Sequence, residues 1–310
     1  VRMVSDTSAL NEHLMVVRSE ENKVFLDYVR YLADKKVQAD SVSKKMEAVE
    51  DPIAKGSFKR QLKELEGQID AYQEDLVAKH PGTFVASIVK MSIAPGNTDV
   101  HKPDGTLDSA ATYYNYRKHF WDNTDLKDPR ILHAPVFQNK FDEYIGKVVP
   151  QVPDTINKCA DDLIHRMDDN GDLFKFAVNG ITYKYETSDI MGMDAVFVHM
   201  AETYYCPKDG VKGRVTWMPA DKLDKLCDRA AKMAPLIIGS KGQDIIWPDT
   251  TETNWLSYYK LPQKYILIVF WDPHCGHCRK TLPTLYTDYV AKLRPLNVQV
   301  FAVAKATDST

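Results

Sequence analysis

The stretch from Tyr265 to Pro283 constrains this chain more than any other. Tyr265–Trp271 (YILIVFW) is an unbroken apolar run of strand length, with Pro262 before it and Asp272-Pro273 after it. Such a run reads as a buried strand of a parallel sheet. Cys275-Gly276-His277-Cys278 follows where a helix should begin, and helix-compatible residues continue through Thr287. Strand, tight turn, CxxC and helix together form the layout of a thiol–disulfide redox site.

The layout matters because the thiolate is the reacting species. An ordinary cysteine titrates near about 8.5, and one at a helix N-terminus beside a cation titrates lower. Cys275 is placed to receive unpaired backbone N–H groups and the positive end of the helix dipole. His277, between the cysteines, is expected to add its imidazolium, and Cys278 to complete the exchange. Pro283 is expected to kink the helix, since it removes an N–H and crowds the preceding turn.

Phe270-Trp271-Asp-Pro-His-Cys275-Gly-His-Cys278-Arg279-Lys280, with Leu282-Pro283 after it, resembles the active-site segment of thioredoxin-fold proteins. The nearer resemblance is to the TlpA/ResA-like redoxin branch, because Trp271 stands four residues before the first cysteine. Ala234-Pro-Leu-Ile-Ile-Gly239 and Lys241-Gly-Gln-Asp244 are similar to that branch's leading hairpin, and the inner Gly276-His277 pair to that of protein disulfide isomerases. The resemblance implies Cys275 and Cys278 as catalytic cysteines with His277 tuning the thiolate. It places Trp271, His274 and Gly276 at the rim.

Two other chemistries fit less well. Zinc takes four ligands, commonly two separated pairs, and no second CxxC or HxxxH accompanies His274 and His277. Peroxide reduction in the wider redoxin family uses Pro-x-x-x-Thr/Ser-x-x-Cys, and neither that Pro nor that Thr/Ser precedes Cys275. No metal and no cofactor is expected.

Composition sets outer bounds. With 310 residues, 44% of them hydrophobic, the chain can bury more than one core. A formal charge of −3 gives no argument for nucleic acid or an anionic membrane. No apolar run approaches the roughly 18 residues of a membrane span. Of five cysteines, Cys159 and Cys227 sit on apolar helical faces and read as small buried hydrophobes, while Cys206 stands before Pro207 at a helix end, a position that assigns it neither role.

Ahead of the redox stretch the text is helical. Phe25, Tyr28, Leu32, Lys35, Ala39, Val42, Met46 and Val49 repeat at three- and four-residue steps behind a Ser19 cap. After a turn placed at Asp51-Pro52 to Gly56, the rhythm resumes at Phe58, Leu62, Leu65, Ile69, Tyr72 and Leu76. The pair predicts an antiparallel coiled-coil hairpin. Further helices are expected at 110–121, 136–149, 153–167, 173–186, 193–205 and 220–233. Asp168-Asp-Asn-Gly-Asp172 lacks the spacing of a calcium loop and reads as a glycine helix stop followed by an Asp172 cap. Tyr113, Tyr114, Tyr116, Phe120 and Trp121 read as core aromatics, and His133, His165 and His199 as isolated packed or surface histidines.

This helical text is also similar to a domain of unknown function that precedes redoxin domains in envelope lipoproteins of Gram-negative gut anaerobes. The residues that carry this are Trp121-Asp-Asn123, Pro129-Arg-Ile-Leu132, Pro135-Val-Phe137 and Ile190-Met-Gly-Met-Asp-Ala-Val-Phe-Val-His-Met200. The resemblance implies a periplasmic protein, tethered to the outer membrane through a lipidated cysteine upstream of Val1.

The expected fold is multidomain: a mainly α-helical N-terminal region, hairpin plus irregular bundle, followed by a partial α/β thioredoxin-like domain. Its segments are 1–18 as the tail of a preceding segment, 19–95 the hairpin, 96–234 the bundle and 235–310 the thioredoxin-like domain. No proline follows Pro295, so the substrate-holding cis-proline loop of that family is not in this sequence, and the domain is expected to continue past Thr310. The expected function is thiol–disulfide exchange on protein disulfides in the bacterial cell envelope. Its partners would be a substrate protein with thiols or a disulfide and a redox partner protein. The alternative is a non-catalytic accessory lipoprotein that docks to an outer-membrane protein complex through its helices.

Overall fold

The computed structural model describes residues 2–5, 13–96, 98–207 and 213–305. Contacts divide the chain into two compact units, Val1–Ala234 and Pro235–Thr310.

In the first unit, a short antiparallel pair opens the chain: β1 (Arg2–Val4) against β2 (Met15–Arg18). This part of the sequence carries no strand signal, because its seven strand residues, five apolar and two arginines, do not alternate and only Val16 is buried. Two 28-residue helices follow, α1 (Glu20–Glu47) and α2 (Pro52–Lys79). The Ser19 hydroxyl accepts the Asn22 N–H at 3.2 Å and starts α1. Asp51 caps α2 through the N–H groups of Ile53 and Ala54, with Pro52 at the first helical position. The turn is therefore shorter than the sequence suggested: Gly56 lies inside α2, and the connection is Ala48–Asp51.

The hairpin seam follows the periodicity. Tyr28 and Leu76 are buried together against Val85 and Val89 of α3 (Phe84–Ser92). Gln73 donates to the Tyr28 hydroxyl at 2.8 Å, so the buried polar pair is satisfied. The Tyr31 and Tyr72 rings stack at 4.0 Å. Lys35, the one charged residue in the seam, bonds the Gln68 side chain at 2.7 Å and lies over the Tyr31 ring.

The bundle comprises α4 (Ser109–His119), α5 (Pro135–Glu143), α6 (Pro153–Ile164), α7 (Asp172–Glu186), α8 (Asp194–Met200) and α9 (Ala220–Met233). Helix α5 continues into a π-helical turn, Tyr144–Val148, and α8 into another, Ala201–Tyr205. Helices α6, α7 and α8 pack on one another around Ile156, Leu163, Phe174, Ile181, Phe197 and Tyr204, all fully buried. Proline opens α5 and α6, where its missing N–H costs least.

Several sequence expectations are corrected here. The left-handed residue between α6 and α7 is Asn170, at φ 61°, and Gly171 rather than Asp172 is the α7 N-cap. Asp172 instead sits in the first turn, bonded to Lys175 at 3.2 Å and favourably placed in the helix dipole. Phe120 and Trp121 are buried as core aromatics, but Tyr113 and Tyr114 are exposed. Cys227 is not a lone hydrophobe: it forms a disulfide with Cys206 across 21 residues. The Cys206 end of the π-turn after α8 packs against α9 and brings the two Cα atoms to 5.6 Å, within the span a disulfide bridges. Cys159 is free and buried, as its apolar helical face predicts.

The second unit begins with a hairpin, β3 (Ile246–Pro248) against β4 (Trp255–Ser257). The hairpin lies downstream of the 234–244 stretch in which the sequence placed it; Ala234–Leu236 is a 3₁₀ turn. Asp249 organises its loop by accepting from the N–H and hydroxyl of Thr251 and from the Asn254 amide. These bonds, the Thr251 hydroxyl first, hold the Asp249 carboxyl down at about 2. Then come β5 (Tyr265–Trp271), α10 (Gly276–Asp288) and β6 (Val298–Ala304). Strands β5 and β6 pair in parallel through seven consecutive positions, from Tyr265 opposite Val298 to Trp271 opposite Ala304. A parallel pair needs a crossover, and α10 with the turns after it supplies one. Asn297, left-handed at φ 61°, ends that crossover and leads into β6.

Candidate functional site: the Cys275–Cys278 dithiol

The site sits where β5 gives way to α10. Asp272 makes the turn: its backbone carbonyl accepts the Cys275 N–H at 3.1 Å, and its side chain accepts the His274 N–H at 2.8 Å. Cys275 thereby becomes the N-cap residue of α10, in extended conformation, with Gly276 the first helical residue. Serine, aspartate or asparagine commonly holds this position because a side-chain acceptor there meets free backbone N–H groups. The Cys275 side chain makes no cap hydrogen bond in this structure, but it lies beside the same N–H groups, which favour its thiolate.

The electrostatics follow from that placement. The Cys275 thiol is held below an ordinary thiol's range by the backbone N–H of Cys278, then by the Cys278 thiol and the backbone N–H of His277. Asp272, one turn back, opposes this through its negative charge. The Asp272 carboxyl is itself held low, first by the His274 N–H and then by Lys305, whose ammonium lies 3.5 Å away. His277 contributes its backbone N–H to this lowering. Its side chain is exposed.

Both cysteines are free and half-buried. His274 and Gly276 are exposed beside them, and a Cβ on Gly276 would meet nothing within 4 Å. Trp271, the last residue of β5, is half-buried and lines an apolar cleft of about 390 Å³ with Leu282, Leu285 and Tyr286 of α10. Pro283 lies inside α10, which runs on five residues to Asp288. Among the described residues, no group of three or more His, Cys, Asp or Glu side chains is arranged to hold a metal ion. No helix among them is long and apolar enough to cross a membrane.

The bundle holds a second polar cluster that the sequence did not reveal. Asp161 of α6 accepts from the Tyr204 hydroxyl at 2.7 Å and pairs with His199 Nε2 at 2.9 Å. Burial raises the Asp161 carboxyl, but the bonds from His199 and Tyr204 outweigh it and the net displacement is downward. The three residues are up to 43 positions apart, so only the packing of α6 against α8 joins them.

Comparison with known proteins gives three findings. A family model described as a domain of unknown function, DUF5106, matches residues 103–215, which include the Trp121, Pro129–Phe137 and Ile190–Met200 segments. No curated protein matches the chain. Among solved structures, the chain is similar to the crystal structure of a thioredoxin-like protein from Bacteroides caccae, at 16% identity and a TM-score of 0.45, over 67% of this chain and 73% of that one.

Proposed function

We propose that Cys275 and Cys278 carry out thiol–disulfide exchange with protein substrates. The observation that supports this most directly is the placement of Cys275 as the N-cap of α10, with its thiol lowered by amides of the following turn and still partly open to solvent. In the reducing direction, the Cys275 thiolate attacks one sulfur of a substrate disulfide. The substrate S–S bond breaks, a mixed disulfide forms at Cys275, and the departing thiolate takes up a proton. Cys278 then loses its proton and attacks Cys275 Sγ, releasing the second substrate thiolate. Two electrons have passed to the substrate, and the protein holds a Cys275–Cys278 disulfide. The oxidising direction is the same sequence in reverse. Trp271 and His274 form the rim against which a substrate chain would lie.

The Cys206–Cys227 disulfide supports placement in an oxidising compartment such as the cell envelope, because structural disulfides persist there and are rare in the cytosol. The resemblance to envelope lipoproteins adds a tether at the outer membrane.

The thiol chemistry is tested by the pH dependence of Cys275 alkylation. Only the thiolate reacts, so the rate should rise through a midpoint below the ordinary value of about 8.5. Asp272→Asn removes the charge that opposes ionisation. The midpoint should move further down, and the rate at neutral pH should rise a few-fold, on the order of one pKa unit at most. A midpoint at or above that of a free thiol, or an upward move in Asp272→Asn, would contradict the electrostatic reading.

A further inference from the structure

The helical unit contains a cleft of about 400 Å³ between α4 and the length of α6, a volume suited to a small molecule. Four cations converge on it: Arg117 and Lys118 from α4, Lys158 from α6 and Arg166 just beyond. Two carboxylates, Asp154 and Asp162, line the same cleft, and on α6 the order Asp154, Lys158, Asp162, Arg166 at four-residue steps reads as a ladder of intrahelical ion pairs. Those pairs are not made. Among the described residues, none of the four cations has a carboxylate within ion-pair distance. Arg117 instead lies over the exposed ring of Tyr114.

The floor is apolar and holds one unsatisfied donor. Trp121 is 3% exposed and lines the cleft, and among the described residues its buried indole N–H has no hydrogen-bond partner. Tyr144 and Leu163, both buried, complete the apolar wall. The cationic field also reaches the buried groups: Arg117 and Arg166 oppose the upward displacement that burial imposes on Tyr144.

We infer that this cleft binds a small organic anion, a carboxylate or phosphate on a planar apolar body, with the anionic group among Arg117, Lys158 and Arg166 and the apolar body against Trp121, Tyr144 and Leu163. An inorganic anion alone would leave the walls formed by Tyr144 and Leu163 unused. A neutral ring would leave the cations unmatched. The site lies within residues 103–215, the stretch matched by a domain of unknown function, and does not depend on the dithiol chemistry.

Because Trp121 lines the cleft, its indole resonance reports on binding. In a ¹H–¹⁵N spectrum of the full chain, its resonance is one of five from tryptophan. It is assigned by its loss in Trp121→Phe or, if that variant does not fold, by exclusion through single substitutions at the other four. The chain is titrated with benzoate, phenyl phosphate, inorganic phosphate and the neutral isostere benzamide. The expected result is a saturable displacement of the Trp121 signal by benzoate or phenyl phosphate, at least tenfold tighter than by benzamide. The preferred one of the two identifies the head group. Arg117→Gln with Arg166→Gln should weaken it at least tenfold, and Lys158→Gln alone should weaken it several-fold. Three results would each overturn the inference: no saturable displacement by benzoate or phenyl phosphate, benzamide as effective as benzoate, or inorganic phosphate as effective as phenyl phosphate.

Discussion

Replacing Cys275 by serine should reduce disulfide reductase activity to the uncatalysed background, a loss on the order of 10³-fold or more for removal of a nucleophile. The reason is both electronic and covalent. A serine hydroxyl at the α10 N-cap would still accept the backbone N–H groups that now lower the Cys275 thiol, so the helix should keep its start. It cannot form a sulfur–sulfur bond or ionise at neutral pH. Cys278→Ser separates the two half-reactions. Cys275 would still attack, but the second displacement would be lost, and a mixed disulfide with substrate should accumulate at Cys275. Equal loss in both variants with no trapped species would argue against the assigned order of attack. Turnover that survives Cys275→Ser would remove the dithiol from the mechanism.

The second large effect concerns stability. Breaking the Cys206–Cys227 bridge with paired serines should destabilise the helical unit by about 3 kcal/mol, from the chain-entropy cost of closing a loop of 21 residues. For a unit of this size that corresponds to a fall in melting temperature of roughly 6–12 °C. The bridge joins the end of the α8 π-turn to a helix that buries only Ala230 fully, so α9 depends on it more than a core helix would. Melting the native protein with and without reductant gives the same comparison without mutation. An unchanged melting temperature in both experiments would mean that the two sulfurs are not paired in solution.

These two sites differ in how far the sequence revealed them. The dithiol was legible because every determinant is local: an apolar run sets β5, Asp272-Pro273 breaks it, and the cysteines fall on the next helix start. The helical hairpin was legible for a similar reason. A seam repeated over two long segments survives one charged interruption, and Lys35 finds Gln68 across it. What escaped was decided by distant packing. Cys227 looks like a helix-face hydrophobe until α9 meets Cys206, and Asp161 is an ordinary surface carboxylate until α8 and its π-turn bring His199 and Tyr204 to it. The β1–β2 pair left no pattern because its side chains bury almost nothing, and Tyr114 belongs by type to a core it does not enter. The backbone N–H of His277 adds to the lowering of the Cys275 thiol, a contribution that sequence does not display because it shows which residue is near but not which of its groups faces the sulfur.

The central claim is that Cys275 and Cys278 exchange two electrons as a pair. It is tested most directly by equilibrating the full chain in glutathione buffers, trapping free thiols, and quantifying Cys275 and Cys278 separately from Cys206 and Cys227 by peptide mass spectrometry. The expected result is one reversible two-electron transition in which Cys275 and Cys278 titrate together, at a potential between about −270 and −120 mV. Cysteines that never become linked across that range, or that react with glutathione independently of each other, would contradict it.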